Sequence, residues 1–418
     1  MHHFIFKKKG LVWLLVGGII LSWAGTAAAF SFSEFMLTAE DPIESAEFGR
    51  SVAMDGGLIV VGAAEGSDEV AVGPGSAYVF RRIGNTYIQE AKLVAPDGED
   101  GDEFGRDVDV KGNVIAVGAR FASNDSSERS GAAYVYKKRD GHWVFDQKVT
   151  ADDGAPEDNF GRAVALDNNL LVVSARKEDV SVDNDGSVYV FRKKGNFWRQ
   201  EAKLTASDST DEARFGQSVA IKGNLIIIGA RDAITPLAEK AGAIYLFQRV
   251  RSQWVETAKL SASDGENGDQ FGFNIDIAGN VIAVGARRSD PFNSKDAGAV
   301  YLFGQFGKEW WEIGKLTASD GEGGDEFGHS VAMSGDLVAV GARRADIAGK
   351  KNQGAVYLFR RTGGHWEEIA KITASSGMAG DEFGHSLAAH GDKILAGANI
   401  VDIDETDQGA AYVYQIKK

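Results

Sequence analysis

The stretch DEFGRDVDVKGNVIAVGAR, Asp102 to Arg120, decides the fold because close variants of it recur at a fixed interval along the chain. Its Phe104-Gly105 pair returns as Phe48-Gly49, Phe160-Gly161, Phe215-Gly216, Phe271-Gly272, Phe327-Gly328 and Phe383-Gly384, spaced by 56 residues and once by 55. A period of that size signals a repeat architecture. Within the stretch, Asp107 to Val110 alternates like a strand with two different faces. Lys111-Gly112-Asn113 reads as a tight turn, since Gly and Asn tolerate positive φ. Val114 to Val117 is apolar throughout, as in a strand buried on both faces. Gly118-Ala119 ends it; the third copy has Ser174-Ala175 instead.

Beyond the stretch, a loop of about ten residues varies between copies. A third strand then starts at a Gly and carries a Tyr, as in Gly131 to Tyr134 or Gly354 to Tyr357. The fourth opens on an aromatic: Tyr87, Trp143, Trp198, Trp254, Trp310 or Trp366. Four antiparallel strands make one propeller blade. The seventh copy stops after its third strand, at Tyr412-Val413-Tyr414, while Met36-Leu37-Thr38-Ala39 stands before Phe48 where a fourth strand belongs. An open stack would end in capping repeats. A displaced strand closes a ring and removes the exposed sheet edges. The expected fold is therefore all-β, a seven-bladed β-propeller over residues 30–418. Its ring is closed by an N-terminal strand completing the last blade.

These residues resemble the FG-GAP repeat, the unit of the integrin α-subunit propeller and of many secreted bacterial proteins. The resemblance covers residues 30–418 and rests on seven Phe-Gly pairs and six Gly-Ala pairs at fixed offset. It implies an extracellular propeller used for binding other molecules. Two departures stand out. The residue after Gly-Ala is Arg, Ala or Asn rather than Pro, and the connections between first and second strands are too short for an integrin-type calcium loop.

Residues 1–29 read as a secretory signal: Lys7-Lys8-Lys9, an apolar run from Leu11 to Ala24, and Ala27-Ala28-Ala29 at the cleavage site. An uncleaved anchor over residues 10–29 is the alternative. No second long apolar stretch follows, so the mature chain is not expected to span a membrane. An exported chain, periplasmic or extracellular, is expected. The chain has no cysteine, which excludes disulfides and thiol catalysis. Its formal net charge is −15, and more negative once the signal lysines are removed. That disfavours nucleic acid, whose binding runs on phosphate neutralisation.

Strand direction assigns the loops to two faces. The top carries the connections into each Phe-Gly and those between second and third strands. The top loops are acidic: Asp97, Glu99 and Asp102 before Phe104; Asp264 and Asp269 before Phe271; Asp320, Glu322 and Asp325 before Phe327. Such oxygens on glycine-rich loops suit Ca²⁺. They equally suit solvated turns. A third reading pairs Asp102, Asp158, Asp269 and Asp325 with Arg120, Arg176, Arg287 and Arg343 at the top of the same blades. The bottom turns are basic, with Arg81-Arg82, Lys137-Lys138-Arg139, Arg192-Lys193-Lys194 and Arg360-Arg361, and so fit an anionic partner. His329 and His385 follow their Phe-Gly pairs and are expected near the channel mouth but well apart.

The Phe-Gly residues themselves read as packing. No nucleophile elbow or phosphate loop is present. No cofactor is called for apart from the calcium alternative. The expected function is a non-enzymatic binding scaffold whose variable top loops engage a protein or envelope component. A carbohydrate-binding propeller and an enzyme with its site in one atypical blade are the alternatives.

Overall fold

The second strand of each repeat is buried at every residue or at all but its first, so it must be sandwiched between neighbouring sheets, and the chain solves this by arranging seven sheets around an axis. The computed structural model describes residues 30–67, 70–71, 73–124 and 127–417. The signal sequence assigned to residues 1–29 lies outside the described residues.

Each of seven sheets has four antiparallel strands, which follow chain order from the axis outward in all but the last. Blade two, for example, comprises Phe104–Lys111, Val114–Ala119, Ala132–Arg139 and His142–Val149. The last sheet takes Ser386–His390, Lys393–Ala398 and Ala410–Lys417 from the end of the chain and Ser31–Leu37 from its start. Ser31 lies opposite Lys417 and Leu37 opposite Ala411. The closing strand thus begins five residues before the Met36–Ala39 segment named from the repeat, and Thr38 and Ala39 lie past its end. A two-residue ribbon, Gly66–Ser67 with Val70–Ala71, decorates a top loop of blade one.

The core is seven wedges, each shared by two blades. Phe104 sits with Val60, Val79 and Leu93 of blade one and Val117 and Tyr134 of blade two. Every Phe of a Phe-Gly pair is at most 1 % exposed, and each packs on the Tyr of its own third strand, as Phe104 does at 5.4 Å from Tyr134. The glycine that opens each third strand touches the next blade. Gly131 holds φ at +94°, and a Cβ there would meet the carbonyl oxygen of Phe160 at 2.0 Å. Only glycine fits that approach.

A belt of side-chain bonds near the channel links blade to blade. Ser51, Ser218, Ser330 and Ser386 donate to the Phe-Gly glycine carbonyl of the following blade, at 2.6–2.9 Å. Asp107 and Asn274 instead accept from the backbone N–H of Val164 and Val331. Blade three has Ala163 at this position, and its backbone N–H donates to Ser174 Oγ, the residue that replaces the Gly of Gly-Ala.

Candidate functional site

The residue before each Phe-Gly pair (Glu47, Glu103, Asn159, Arg214, Gln270, Glu326, Glu382) has φ between +52° and +60°. None is glycine, so each blade holds some strain here. This conformation separates two neighbouring side chains. Asp102 turns back and accepts from the N–H of Glu99, whereas Glu103 bonds Arg120. Asp158, Asp269, Asp325 and Asp381 repeat the cap three residues upstream. Pairing of Asp102, Asp158, Asp269 and Asp325 with the arginines is therefore corrected. In blades two, five and six the arginine partners are the residues one position later, Glu103, Gln270 and Glu326, whereas Arg176 of blade three bonds Gln217.

On one side of the channel mouth those pairs form a closed net. Arg343 bonds Glu326 at 2.9 Å and Glu382 of the next blade at 2.8 Å, and Arg287 reaches Glu326 at 3.2 Å. Arg344 also reaches Glu326, at 3.1 Å. His329 and His385 stand beside this net. Their ring centroids lie 4.9 Å apart with the planes tilted by 52°, and His329 lies 5.0 Å from the ring of Phe273. The expectation that the histidines stand apart is thus corrected, because the inner strands converge on the axis. Burial, followed by the charges of Arg50 and Arg343 against the pull of Glu382, pushes His385 down to about 3. Burial and Arg343 also depress His329. Both rings are neutral at pH 7.

On the other side the positions after Phe-Gly are Arg50, Arg106 and Arg162. Below them the inner strand of blade two carries Asp107 and Asp109. Burial raises Asp107 to about 6 against the N–H of Val164. Burial likewise raises Asp109 to about 7, with Asp107 and Asp276 adding to it against the N–H groups of Leu166 and Val110.

The calcium candidates divide into two kinds. Asp97, Asp264 and Asp320 each accept a tyrosine hydroxyl and a lysine ammonium from the following blade: Tyr134 and Lys148, Tyr301 and Lys315, Tyr357 and Lys371, at 2.7–2.9 Å. Asp153 and Asp208 make the same triad. Asp102, Asp269 and Asp325 are the turn caps. Glu99 and Glu322 supply the capped N–H groups. Among the described residues, no group of three or more His, Asp or Glu gathers as a metal set.

At the bottom, the fourth strand of most blades carries a bulge. Its extra residue is Glu90, Asp146 or Glu201 in blades one to three, and each reaches the basic turns. Glu90 pairs with Arg81 and Lys138, Asp146 with Arg139 and Lys193, Glu201 with Arg192 and Arg249. Much of the basic rim is therefore neutralised locally, by acids that the repeat pattern did not single out.

The variable top loops between second and third strands expose apolar side chains on three consecutive blades: Val180 and Val182, then Ile234 and Leu237, then Phe292, which is 87 % exposed with φ at +56°. Phe121, in the loop of blade two, is instead held between Arg120 and Arg129 at 4.3 and 4.2 Å. Two shallow top pockets, of 310 and 380 Å³, are lined by charged residues such as Asp158 and Glu178 or Asp325 and Arg344, with no aromatic ring.

Comparison with known proteins agrees with this architecture. The FG-GAP repeat model matches residues 33–80, 87–136, 143–191, 198–247, 254–303, 310–359 and 366–414. No curated protein matches the chain. Among solved structures, a chain of a mitotic checkpoint complex aligns with a TM-score of 0.55 at 10 % identity, covering 92 % of this chain and 94 % of its own. A Bacteroides uniformis protein provisionally assigned as a 6-phosphogluconolactonase aligns with a TM-score of 0.54 at 9 % identity, covering 85 % and 95 %. At such identities the likeness concerns the fold alone. Among the described residues, no helix is long and apolar enough to cross a membrane.

Proposed function

The chain belongs to the FG-GAP repeat family, and from that premise we propose that it is an exported, non-enzymatic binding scaffold engaging a protein partner through its top face. The observation that carries this reading is the run of exposed apolar residues Val180, Val182, Ile234, Leu237 and Phe292 on the loops of three adjacent blades. Single exposed apolar residues are ordinary, but a series of them on the variable loops of three consecutive blades of a rigid scaffold suits a binding surface. Phe292 adds a strained backbone, a feature that concentrates at functional positions. The carbohydrate alternative would want aromatic rings in its pockets, and the pocket at Asp158 and Glu178 and the one at Asp325 and Arg344 have none in their lining.

The test is a pull-down from envelope extract with chain 30–418, in parallel with Leu237→Ser plus Phe292→Ser and with a bottom control, Phe197→Ser. The expected result is one protein retained by the parent and the control and lost by the double variant. Elution by free sugar, or equal retention by all three, would overturn the reading. Export is tested separately by fractionation of the full chain, expected to leave a product shortened by the 29-residue leader.

A further inference from the structure

Blades one to three crowd five arginines around one sector of the channel mouth: Arg50, Arg106, Arg120, Arg162 and Arg176. Two glutamates answer them. Glu47 pairs with Arg50 at 3.2 Å, and Glu103 takes both Arg106 at 3.3 Å and Arg120 at 2.7 Å. Among the described residues neither Arg162 nor Arg176 makes an ion pair; the charge of Asp107 acts on Arg162, but that carboxylate already accepts from the N–H of Val164. Where Glu103 and Glu326 stand in other blades, blade three has Asn159. The position that would help from the next blade is Arg214. Arg176 donates only to the neutral Gln217, at 3.0 Å.

Unsatisfied atoms mark the same place. Arg162 Nε and Arg176 Nε are buried with no hydrogen-bond partner. Natural proteins leave few such groups unexplained. Burying guanidinium groups without a counter-charge is costly, and arginine does not escape by losing its proton. Burial, and then mutual repulsion among these arginines, weakens the hold of Arg106, Arg162 and Arg176 on their protons. The guanidinium fork matches the paired oxygens of carboxylate and phosphate.

We infer that this sector of the channel mouth, centred on Arg162 and Arg176, is a binding site for a compact oxyanion of the phosphate or dicarboxylate class. The anion takes the place that a glutamate fills in blades two and six. The site is independent of the apolar loops, since it lies at the axis rather than on their tips.

The test is titration calorimetry on chain 30–418 with inorganic phosphate and, separately, succinate, each against chloride at matched ionic strength. The parent is expected to bind one of the two saturably at a single site, and the winning anion identifies the class. Arg162→Gln should weaken that binding at least about tenfold, the scale of one lost charge-assisted contact. Asn159→Glu should remove it altogether, because the new carboxylate occupies the site from within. Circular dichroism checks that both variants fold, and either folded variant suffices. Failure of both anions to bind the parent, or binding by the folded variants as tight as the parent's, would overturn the proposal.

Discussion

The two sides of the channel mouth use the same repeat positions to opposite ends. Around blades five to seven, Glu326 alone holds Arg287, Arg343 and Arg344, and Glu382 adds a second bond to Arg343. Around blade three, the equivalent carboxylate is Asn159, and Arg162 and Arg176 are left facing one another's charge. One residue type at one position therefore separates a closed ion-pair net from an open one. Identical packing by Phe and Gly holds both in place. The repeat supplies the frame, and departures from it supply the chemistry.

The largest expected effect breaks the closed side. Glu326→Gln strips three arginines of their shared carboxylate, and Glu326 is 4 % exposed. Removing one partner from a buried net costs about 3–5 kcal/mol. The denaturant midpoint should fall accordingly, and a loss below about 1 kcal/mol would mean the net is no more than a surface feature. Arg162→Gln on the open side should do the reverse. With no ligand present it removes a crowded charge that makes no ion pair, and stability should hold or rise by about 1 kcal/mol. A large loss there would erase the distinction between the sides.

The next test uses pH, because the two sides titrate with opposite sign. Asp109 lies under the open side with a folded pKa of about 7, above the usual 3.8 of an aspartate. The native state keeps a proton that the unfolded chain gives up, so this contribution is present below about pH 4 and lost as pH rises toward 7. His329 and His385, on the closed side, have folded values depressed below 6.5, to about 3 for His385. Their contribution is present above 6.5 and lost as pH falls through that range. Asp109→Asn should therefore gain roughly 1–2 kcal/mol over the parent at pH 8 and little at pH 4, allowing for its partial exposure. His385→Gln should flatten the acid limb alone. Parallel pH profiles for both variants would show that neither group titrates as its surroundings dictate.

Much of the fold was legible in the sequence because the relevant signals are local. The alternation in Asp107 to Val110, the apolar run Val114 to Val117 and the Gly112-Asn113 turn each dictate their own conformation, and the period repeats them. The open end at Tyr414 and the orphan segment near Met36 announced closure. What stayed hidden depends on geometry across blades or on backbone twists that residue type does not encode. Glu103 and Asp102 are adjacent acids, and only the positive φ at Glu103 decides which one meets Arg120. His329 and His385 are 56 residues apart, and their 4.9 Å ring contact follows from how tightly the inner strands converge. Glu90, Asp146 and Glu201 reach the bottom rim through bulges that no alternation pattern reveals. The deficit around Arg162 was visible in principle: Asn159 and then Arg214 and Gln270 break the series of Glu47, Glu103, Glu326 and Glu382. Its meaning required knowing that this position, and not the aspartate before it, faces the arginines.

The smallest expected effect sets the top rim against the mouth. Asp97, Asp264 and Asp320 each already hold a tyrosine hydroxyl and a lysine ammonium, and those bonds keep their carboxyls below the usual range despite burial working the other way. A calcium ion wants six to eight oxygens, and at these positions it would first have to displace a lysine. Addition of about 5 mM calcium or EDTA should shift the melting temperature by less than about 2 °C, whereas an anion bound at the mouth stabilises the fold by mass action. Lys315→Ala should cost only about 0.5–1 kcal/mol, as for other exposed pairs. A clear rise in melting temperature with calcium, enhanced in Lys315→Ala, would move the functional centre from the arginines at the axis to the carboxylates at the rim.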